Sequence, residues 1–319
     1  MQAGINPSDD RPLKKVLIIA YYWPPAGGPG VQRWLKFTKY LPSEGWKPTL
    51  LVPEGAAYPV LDPSLEEEVG PDTEVLRVPI FEPYEAALAL VQRKGAERLG
   101  SGNKKSGPVD KLVRWTRGNL LLPDPRVLWR KPASKAAIHC IQKAEHSGNG
   151  FDVVITTGPP HSVHLIGLDI QRQTGLPWVA DFRDPWREMD YLEDFLPTHR
   201  TRRRHLKMEG EVVRNCDVAL MTSKGISTSF SVHSEAKDKL ELIPNGWDEA
   251  DIEPPHSERS EDTAQPQTHW NLGHFGSVFP IRNAPGLWKA IARWNTEDRL
   301  PIHLHFYGVV NPEVAADLE

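Results

Sequence analysis

The chain has 319 residues, 39% hydrophobic and 25% charged, which suits a globular protein of roughly two ~150-residue domains and excludes a collagen-like or largely disordered chain. Thirty-eight Lys and Arg against 42 Asp and Glu leave a net charge of −4, which argues against a general nucleic-acid binder. No run approaches the ~18–20 unbroken apolar residues of a membrane-spanning helix, Met1–Arg11 is too polar for a secretory signal, and Cys140 and Cys216 fit neither a zinc pair nor a disulfide framework, so the expectation is a cytoplasmic protein.

Taken in chain order, a flexible start over 1–14 leads into the β-branched run Val16–Ala20, a buried strand. The following loop holds Gly27, Gly28 and Gly30, and a helix over Val31–Leu41 puts Val31, Trp34, Leu35, Thr38 and Leu41 on one face with Arg33, Lys36 and Lys39 off it. Strands are predicted at Pro48–Val52 and Glu74–Val78. After a long excursion come a strand at Asp152–Thr157, a helix at His161–Thr174 and a strand at Pro177–Phe182. A helix at His199–Asn215, a strand at Asp217–Thr222, a helix at Ser223–His233 and a strand at Leu240–Pro244 complete the pattern. Strands alternating with helices predict an α/β fold, a doubly wound parallel sheet over 15–248 whose ligands sit at the strands' carboxyl ends. The polar, Pro-rich stretch 249–268 reads as a linker. A second α/β pattern fills 269–319: a strand at His269–Phe275, a helix capped by Asn283, a strand at Leu300–Tyr307 and a helix opening at Pro312. About fifty residues are too few for a complete core, so this second domain is expected to be partial.

Five strand-end constellations could carry chemistry. Ala26–Gly30 places glycines before a helix N-terminus, where free N–H groups favour an anion, although a tight turn needs them equally. Its spacing matches neither the dinucleotide fingerprint nor a P-loop. In Thr157–Ser162, Ser162 suits a helix cap, and His161 suits a base, a donor to an acceptor hydroxyl or a polar loop residue. Asp181, Arg183 and Asp184 follow an apolar strand directly, either as an ion pair fixing the loop or as an ionised carboxylate facing a hydroxyl-bearing ligand, with Trp186 as a flat stacking surface. Pro244–Asp248 contains an Asn-Gly turn signal. His274–Asn283 offers Gly276 and Ser277 at a strand end, with Arg282 as counter-charge to a diphosphate. No D-x-D sequence occurs to seat a divalent metal.

One further segment stands apart. Six basic residues and one acid lie between Lys111 and Lys131, with Trp115 and Trp129 among them. At 100° per residue Lys111, Arg114 and Arg117 fall within ~120°, opposite Leu112, Val113 and Trp115. Such a helix lies on an anionic membrane surface or presents a solvated basic face above the domain core. The run His199–His205 reads as a solvated helix face.

The motifs YYWPPAGGPGVQRWLKF, TTGPPHS, ADFRDPW and N-G-x-D together resemble glycosyltransferase family 4, in particular its bacterial polysaccharide-type members, over nearly the whole chain from Lys15. The resemblance implies a GT-B architecture of two Rossmann-like domains, acceptor held mainly by the first and nucleotide-sugar mainly by the second. It implies sugar transfer with retention, without cofactor or metal, to a hydroxyl of a glycan or lipid-linked acceptor in cell-surface polysaccharide synthesis. The partners implied are those two substrates and an anionic membrane surface on the inner face through 111–131, with no nucleic acid. Gly27, Gly28 and Gly30 match the family's first glycine loop, and Gly276 its second-domain glycine. Ser277 stands where many members carry a phosphate-binding Arg, leaving Arg282 as the diphosphate partner, and Asn283 stands where a Lys is common. Arg183 and Asp184 occupy the place of a catalytic histidine. The paired-glutamate segment of the family would lie beyond Glu319. The roles implied are catalysis for Asp184, Arg183 and His161, donor binding for the three glycines with Gly276, Ser277 and Arg282, and acceptor binding for Asp181, Trp186 and Ser162. A sugar-nucleotide epimerase of the same architecture, and a truncated non-catalytic acceptor-binding remnant, are the alternatives.

Overall fold

The structure, a computed structural model, describes residues 13–82, 108–188, 190–252, 268–297 and 299–318. The N-terminal stretch 1–12 and most of the expected linker, 253–267, lie outside the described residues. The chain divides after Asp248 into two compact units.

Seven strands of the first unit are short apolar runs whose backbone groups pair only with parallel neighbours. They are β1 (Lys14–Ala20), β2 (Trp46–Glu54), β3 (Glu74–Pro79), β4 (Val153–Gly158), β5 (Trp178–Phe182), β6 (Val218–Met221) and β7 (Leu240–Leu242). Their order is β3-β2-β1-β4-β5-β6-β7, all parallel. Ile18 sits opposite Leu50 on one side and Ile155 on the other. Alternation along β1 splits the core between two layers. Val16, Ile18 and Ala20 pack with Trp34 and Leu35 of α1 (Pro29–Tyr40), while Leu17 and Ile19 face the opposite layer. That second layer is built on α3 (Arg130–His146), α4 (Ser162–Thr174) and α5 (His199–Asn215), which follow α2 (Pro108–Leu120) in the chain; α6 is the short helix Lys224–Phe230. Gly167 of α4 lies so close to the Trp178 indole that a Cβ there would fall 2.4 Å from it, which fixes how tightly this helix meets β5.

Strand order reverses between β1 and β4, so the loops leaving these strands diverge and open a crevice at the sheet's carboxyl edge. The helices leaving this edge depart from the sequence reading. Arg33 does not point to solvent. It is buried and donates to Asp181 across the sheet edge, because the α1 stripe that buries Val31, Trp34, Leu35 and Thr38 is wide enough to include it. Ser162 is not a cap. His161 occupies the N-cap position, and the Ser162 N–H and hydroxyl both donate to Asp124 (2.8 Å each), so the cap is supplied 38 residues upstream. The basic segment 111–131 is not one helix. α2 ends at Leu120, a turn of 3₁₀ helix covers Pro125–Trp129, and Trp129 is buried with its indole N–H donating to the Val78 carbonyl.

In the second unit β8 (Trp270–Phe275) and β9 (Ile302–Tyr307) pair in parallel, with α7 (Pro285–Trp294) between them and α8 (Pro312–Leu318) after them. Asn283 does not cap α7; Ala284 holds that position, while the Asn283 side chain donates to Asp317 and accepts from the Trp288 indole.

Candidate functional site

A cavity of about 800 Å³ opens in the first unit at the carboxyl ends of β4 and β5. Its floor is the loop Pro159–Pro160–His161 after β4 and the run Asp184–Trp186–Arg187 after β5, with Tyr22 entering from the loop after β1. Its far wall is the end of α2 at Arg117 and Gly118, the turn around Phe195 and Pro197, and the first turns of α5. Volume and position both suit a ligand the size of a sugar with an attached group.

His161 is the central polar group of the floor. It is buried, its ring stacks on the Trp186 indole at 4.9 Å and 10°, and neither ring nitrogen makes a hydrogen bond of normal geometry. Burial, then the Arg183 guanidinium and His205, push its pKa down to about 3, against a weaker raising influence of the Pro185 backbone. The imidazole is therefore neutral at any working pH, with one nitrogen able to accept and the other to donate. His164 lies behind it, sharing a hydrogen bond with Thr156 (2.9 Å), and its pKa is lowered by burial in the same way. His205, held near 4 by burial, accepts at Nδ1 from the Trp186 indole (3.1 Å).

Trp186 and Asp181 are not placed as the sequence suggested. One Trp186 face is covered by His161 and its N–H is spent on His205, so the ring is almost wholly buried and is no open stacking surface. Asp181 is fully buried and accepts from Arg33 Nε (3.3 Å), Arg33 Nη2 (3.2 Å), the Trp34 indole (2.7 Å) and the Thr157 hydroxyl (2.9 Å). A carboxylate this desolvated holds only because so many donors converge on it. Its partner is Arg33, 148 residues away, and not Arg183 as an ion pair within the loop would require. Arg183 donates instead to the backbone carbonyls of Gly158, Pro159 and Gly30, tying the loop after β4 to the start of α1. Asp184, exposed, faces the cavity.

The three glycines also part company. Gly27 is locked by an N–H bond to the Val60 carbonyl and by contact with Asp62, while Gly30 packs on the Tyr22 ring. Only Gly28 has the left-handed φ of 85° that requires glycine, and it is the N-cap of α1 with open space where a Cβ would stand. In the second unit Gly276 (φ 124°) approaches Gly308 closely enough that a Cβ on Gly308 would lie 2.3 Å from the Gly276 carbonyl oxygen. Ser277 follows it half-buried, and Arg282 is exposed at the end of a 3₁₀ turn over Pro280–Arg282.

Several cavity residues carry no signal in the sequence. Asp124 closes the N-terminus of α4 and also accepts from the Arg126 N–H (3.0 Å); burial raises its pKa, opposed by these hydrogen bonds. Arg126 pairs with Glu82 (3.0 Å), Arg187 with Glu209 (2.8 Å), and Arg202 with both carboxylate oxygens of Glu193. The Arg117 guanidinium lies over the Phe195 ring at 5.1 Å. The run His199–His205 is thus no simple solvated face. Thr201 and His205 point inward, and His199, Arg202 and Arg203 line the cavity.

No protein-family model matches the chain, and no curated protein matches it. Among solved structures, it superposes on Anabaena HepE in complex with UDP and glucose with a TM-score of 0.50 and 14% identity, over 96% of this chain and 64% of that one. The fold is of the GT-B type. Sucrose-phosphate synthase from Thermosynechococcus elongatus gives 0.49 at 14% identity, over 94% and 63% of the two chains. Phytolacca americana UGT2 complexed with UDP-2fluoro-glucose and pterostilbene gives 0.47 at 12%, over 96% and 73%. The chain spans a little under two thirds of the length of the first two.

Proposed function

We propose that the chain is the acceptor side, with part of the donor side, of a glycosyltransferase of family 4 and bacterial polysaccharide type. It would move a sugar from a nucleotide-sugar to a hydroxyl of a glycan or lipid-linked acceptor, with retention and without a metal, at the inner face of the membrane. The observation that carries the reading is the cavity at the carboxyl ends of β4 and β5, where a buried, neutral histidine lines the same space as an exposed aspartate. A neutral imidazole in a desolvated wall grips a hydroxyl well and serves poorly as a strong base. His161 therefore orients the acceptor. Fold likeness to a protein bound to UDP and glucose supports a nucleotide-sugar donor.

In this reading departure of the nucleoside diphosphate builds negative charge, which the N-terminus of α1 behind Gly28 offsets. The sugar carbon gains positive charge, which Asp184 offsets. The acceptor hydroxyl attacks from the face the diphosphate leaves and passes its proton to the departing phosphate oxygen, so the protein supplies little base. Arg183 acts through position, holding the loop after β4 against α1.

The test is release of free nucleoside diphosphate that depends on acceptor, screened over nucleotide-sugars with the full protein. Asp184→Asn is expected to lower turnover at least tenfold, about 1.4 kcal/mol of transition-state stabilisation, without changing the melting temperature. Unchanged turnover would remove Asp184 from the site. Release without acceptor would favour the epimerase, and no nucleotide binding would favour the remnant.

A further inference from the structure

Two neighbours after β5 are clipped to successive turns of α5. The Trp186 indole N–H donates to His205 Nδ1 (3.1 Å), and Arg187 Nε donates to Glu209 Oε1 (2.8 Å) one turn further on. An indole can only donate, so His205 accepts at Nδ1 and the neutral ring carries its proton on Nε2. That Nε2–H has no partner among the described residues, and His205 lines the cavity. Arg187 Nη2 donates to the Ser229 carbonyl (3.2 Å), which leaves Nη1 unspent among the described residues. Glu209 is fully buried, and its Oε1 also accepts from His233 Nε2 (2.7 Å). Burying a carboxylate is costly, and what it secures here is the direction of the Arg187 guanidinium. Arg203 lines the same wall with no ion-pair partner among the described residues. The adjoining part of the wall has the same sign. α2 turns its arginine face inward, with the Arg114 and Arg117 Nε atoms buried, while Leu112 (62% exposed) and Leu120 (64%) point away. The acids among the described lining residues are Asp124, spent on the start of α4, and Asp184 on the floor. Arg126 and Arg202 have carboxylates of their own, so the unspent donors gather at Arg187, Arg203 and His205.

We propose that this corner of the cavity is an oxyanion subsite, and that the acceptor sugar carries a carboxylate or a phosphate ester which Arg187, Arg203 and His205 Nε2–H receive. These groups donate and offer no acceptor, which suits a ligand group that only accepts. A sugar hydroxyl has a proton of its own to place, and the floor supplies what it needs in His161 and the Asp184 carboxylate. The two kinds of ligand group therefore sort to two parts of one cavity: the charge to the α5 wall, the reacting hydroxyl to the floor. Glu209 is a positioning residue, since it acts on the ligand only through Arg187. The transferase reading above supplies the name acceptor; the subsite itself is tested by binding alone, so its failure would leave that reading standing.

The experiment is ligand-observed NMR on the full chain without nucleotide-sugar, using soluble probes that differ in one substituent: methyl glucoside, methyl glucuronide and methyl glucoside 6-phosphate. One of the anionic probes should bind about tenfold tighter than the neutral one, the scale of a single charge-assisted hydrogen bond, and which of them does so separates carboxylate from phosphate. Arg187→Gln should abolish that preference and leave the neutral glucoside as it was. Because this variant strands Glu209, Arg203→Gln is run beside it; Arg203 is exposed, so circular dichroism should stay unchanged while the preference falls several-fold. Glu209→Gln should lower the same ratio, whereas a merely structural loss would weaken charged and neutral probes together. Wild type that binds the three probes equally, or binds neither anionic one, overturns the proposal. A preference that survives both arginine variants puts the anion elsewhere and overturns it too. Release of nucleoside diphosphate with a neutral acceptor would then still support the transferase.

Discussion

Replacing Arg33 by methionine tests how the carboxyl edge of the sheet is held. The arginine donates five hydrogen bonds: two to Asp181, and one each to the Ile243 carbonyl (3.0 Å), the Pro244 carbonyl (3.0 Å) and the Asn245 side chain (3.2 Å). One guanidinium thus joins α1, β5 and the segment leaving β7. Methionine keeps most of the stem volume but strands a fully buried carboxylate, whose remaining donors are the Trp34 indole and the Thr157 hydroxyl. Breaking a buried ion pair from one side costs about 3–5 kcal/mol, and two surviving donors argue for the lower end, ~3 kcal/mol. For a unit of this size that corresponds to a fall of roughly 6–12 °C in melting temperature. Calorimetry or urea unfolding followed by tryptophan fluorescence reads it directly.

A companion variant makes the inference sharper. Asp181→Leu alone should be destabilising for the mirror reason, while Asp181→Leu combined with Arg33→Met should recover part of the loss, because apolar pairs often replace buried ion pairs at little cost. A loss below about 1 kcal/mol for Arg33→Met, or strict additivity in the double variant, would refute the account. A variant Asp181→Asn that kept its stability but raised the KM for acceptor would return Asp181 to the acceptor site.

Two further outcomes follow from the cavity floor. His161 has a folded-state pKa of about 3 against 6.5 unfolded, so the unfolded chain binds the extra proton; the stability this contributes is complete above pH 6.5 and is lost as pH falls toward 3. Unfolding at pH 5 should therefore be about 2 kcal/mol easier than at pH 7 on account of this residue alone, and His161→Phe should flatten that slope; a slope unchanged by the substitution would count against a buried neutral ring. Asp124→Ala removes the acceptor for the Ser162 N–H and hydroxyl and for the Arg126 N–H, and should cost about 2 kcal/mol in thermal unfolding, with Ser162→Ala costing less because the helix N–H stays capped.

What the sequence made legible was whatever is repeated along it. A run such as Val16–Ala20 is buried on both faces of a parallel sheet, so hydrophobicity alone marks it, and the alternation with helices gives the winding. The importance of strand ends followed from that winding, which is why His161 and Asp184 could be singled out and why both line the cavity. Contacts between distant parts of the chain leave no such trace. Asp181 looked like a ligand-facing acid because its partner, Arg33, is 148 residues away, and Ser162 looked like a cap because Asp124, which satisfies that helix start, is 38 residues upstream.

The basic helix marks the sharpest limit. Periodicity divides α2 into an arginine face and an apolar face, but nothing in a period says which one meets the protein. That choice was made by Gly118, small enough to admit Phe195, and by Asn119, whose amide reaches the start of α5. Neither residue would draw notice in a scan for charge or hydrophobicity. Their substitution is therefore the informative one. Adding a methyl group at Gly118 must push the helix off Phe195, whereas exchanging Leu112 or Leu120 should leave the fold as it is. If the reverse held, with the leucines rather than Gly118 controlling stability, the apolar stripe would belong to the core and the arginines to solvent.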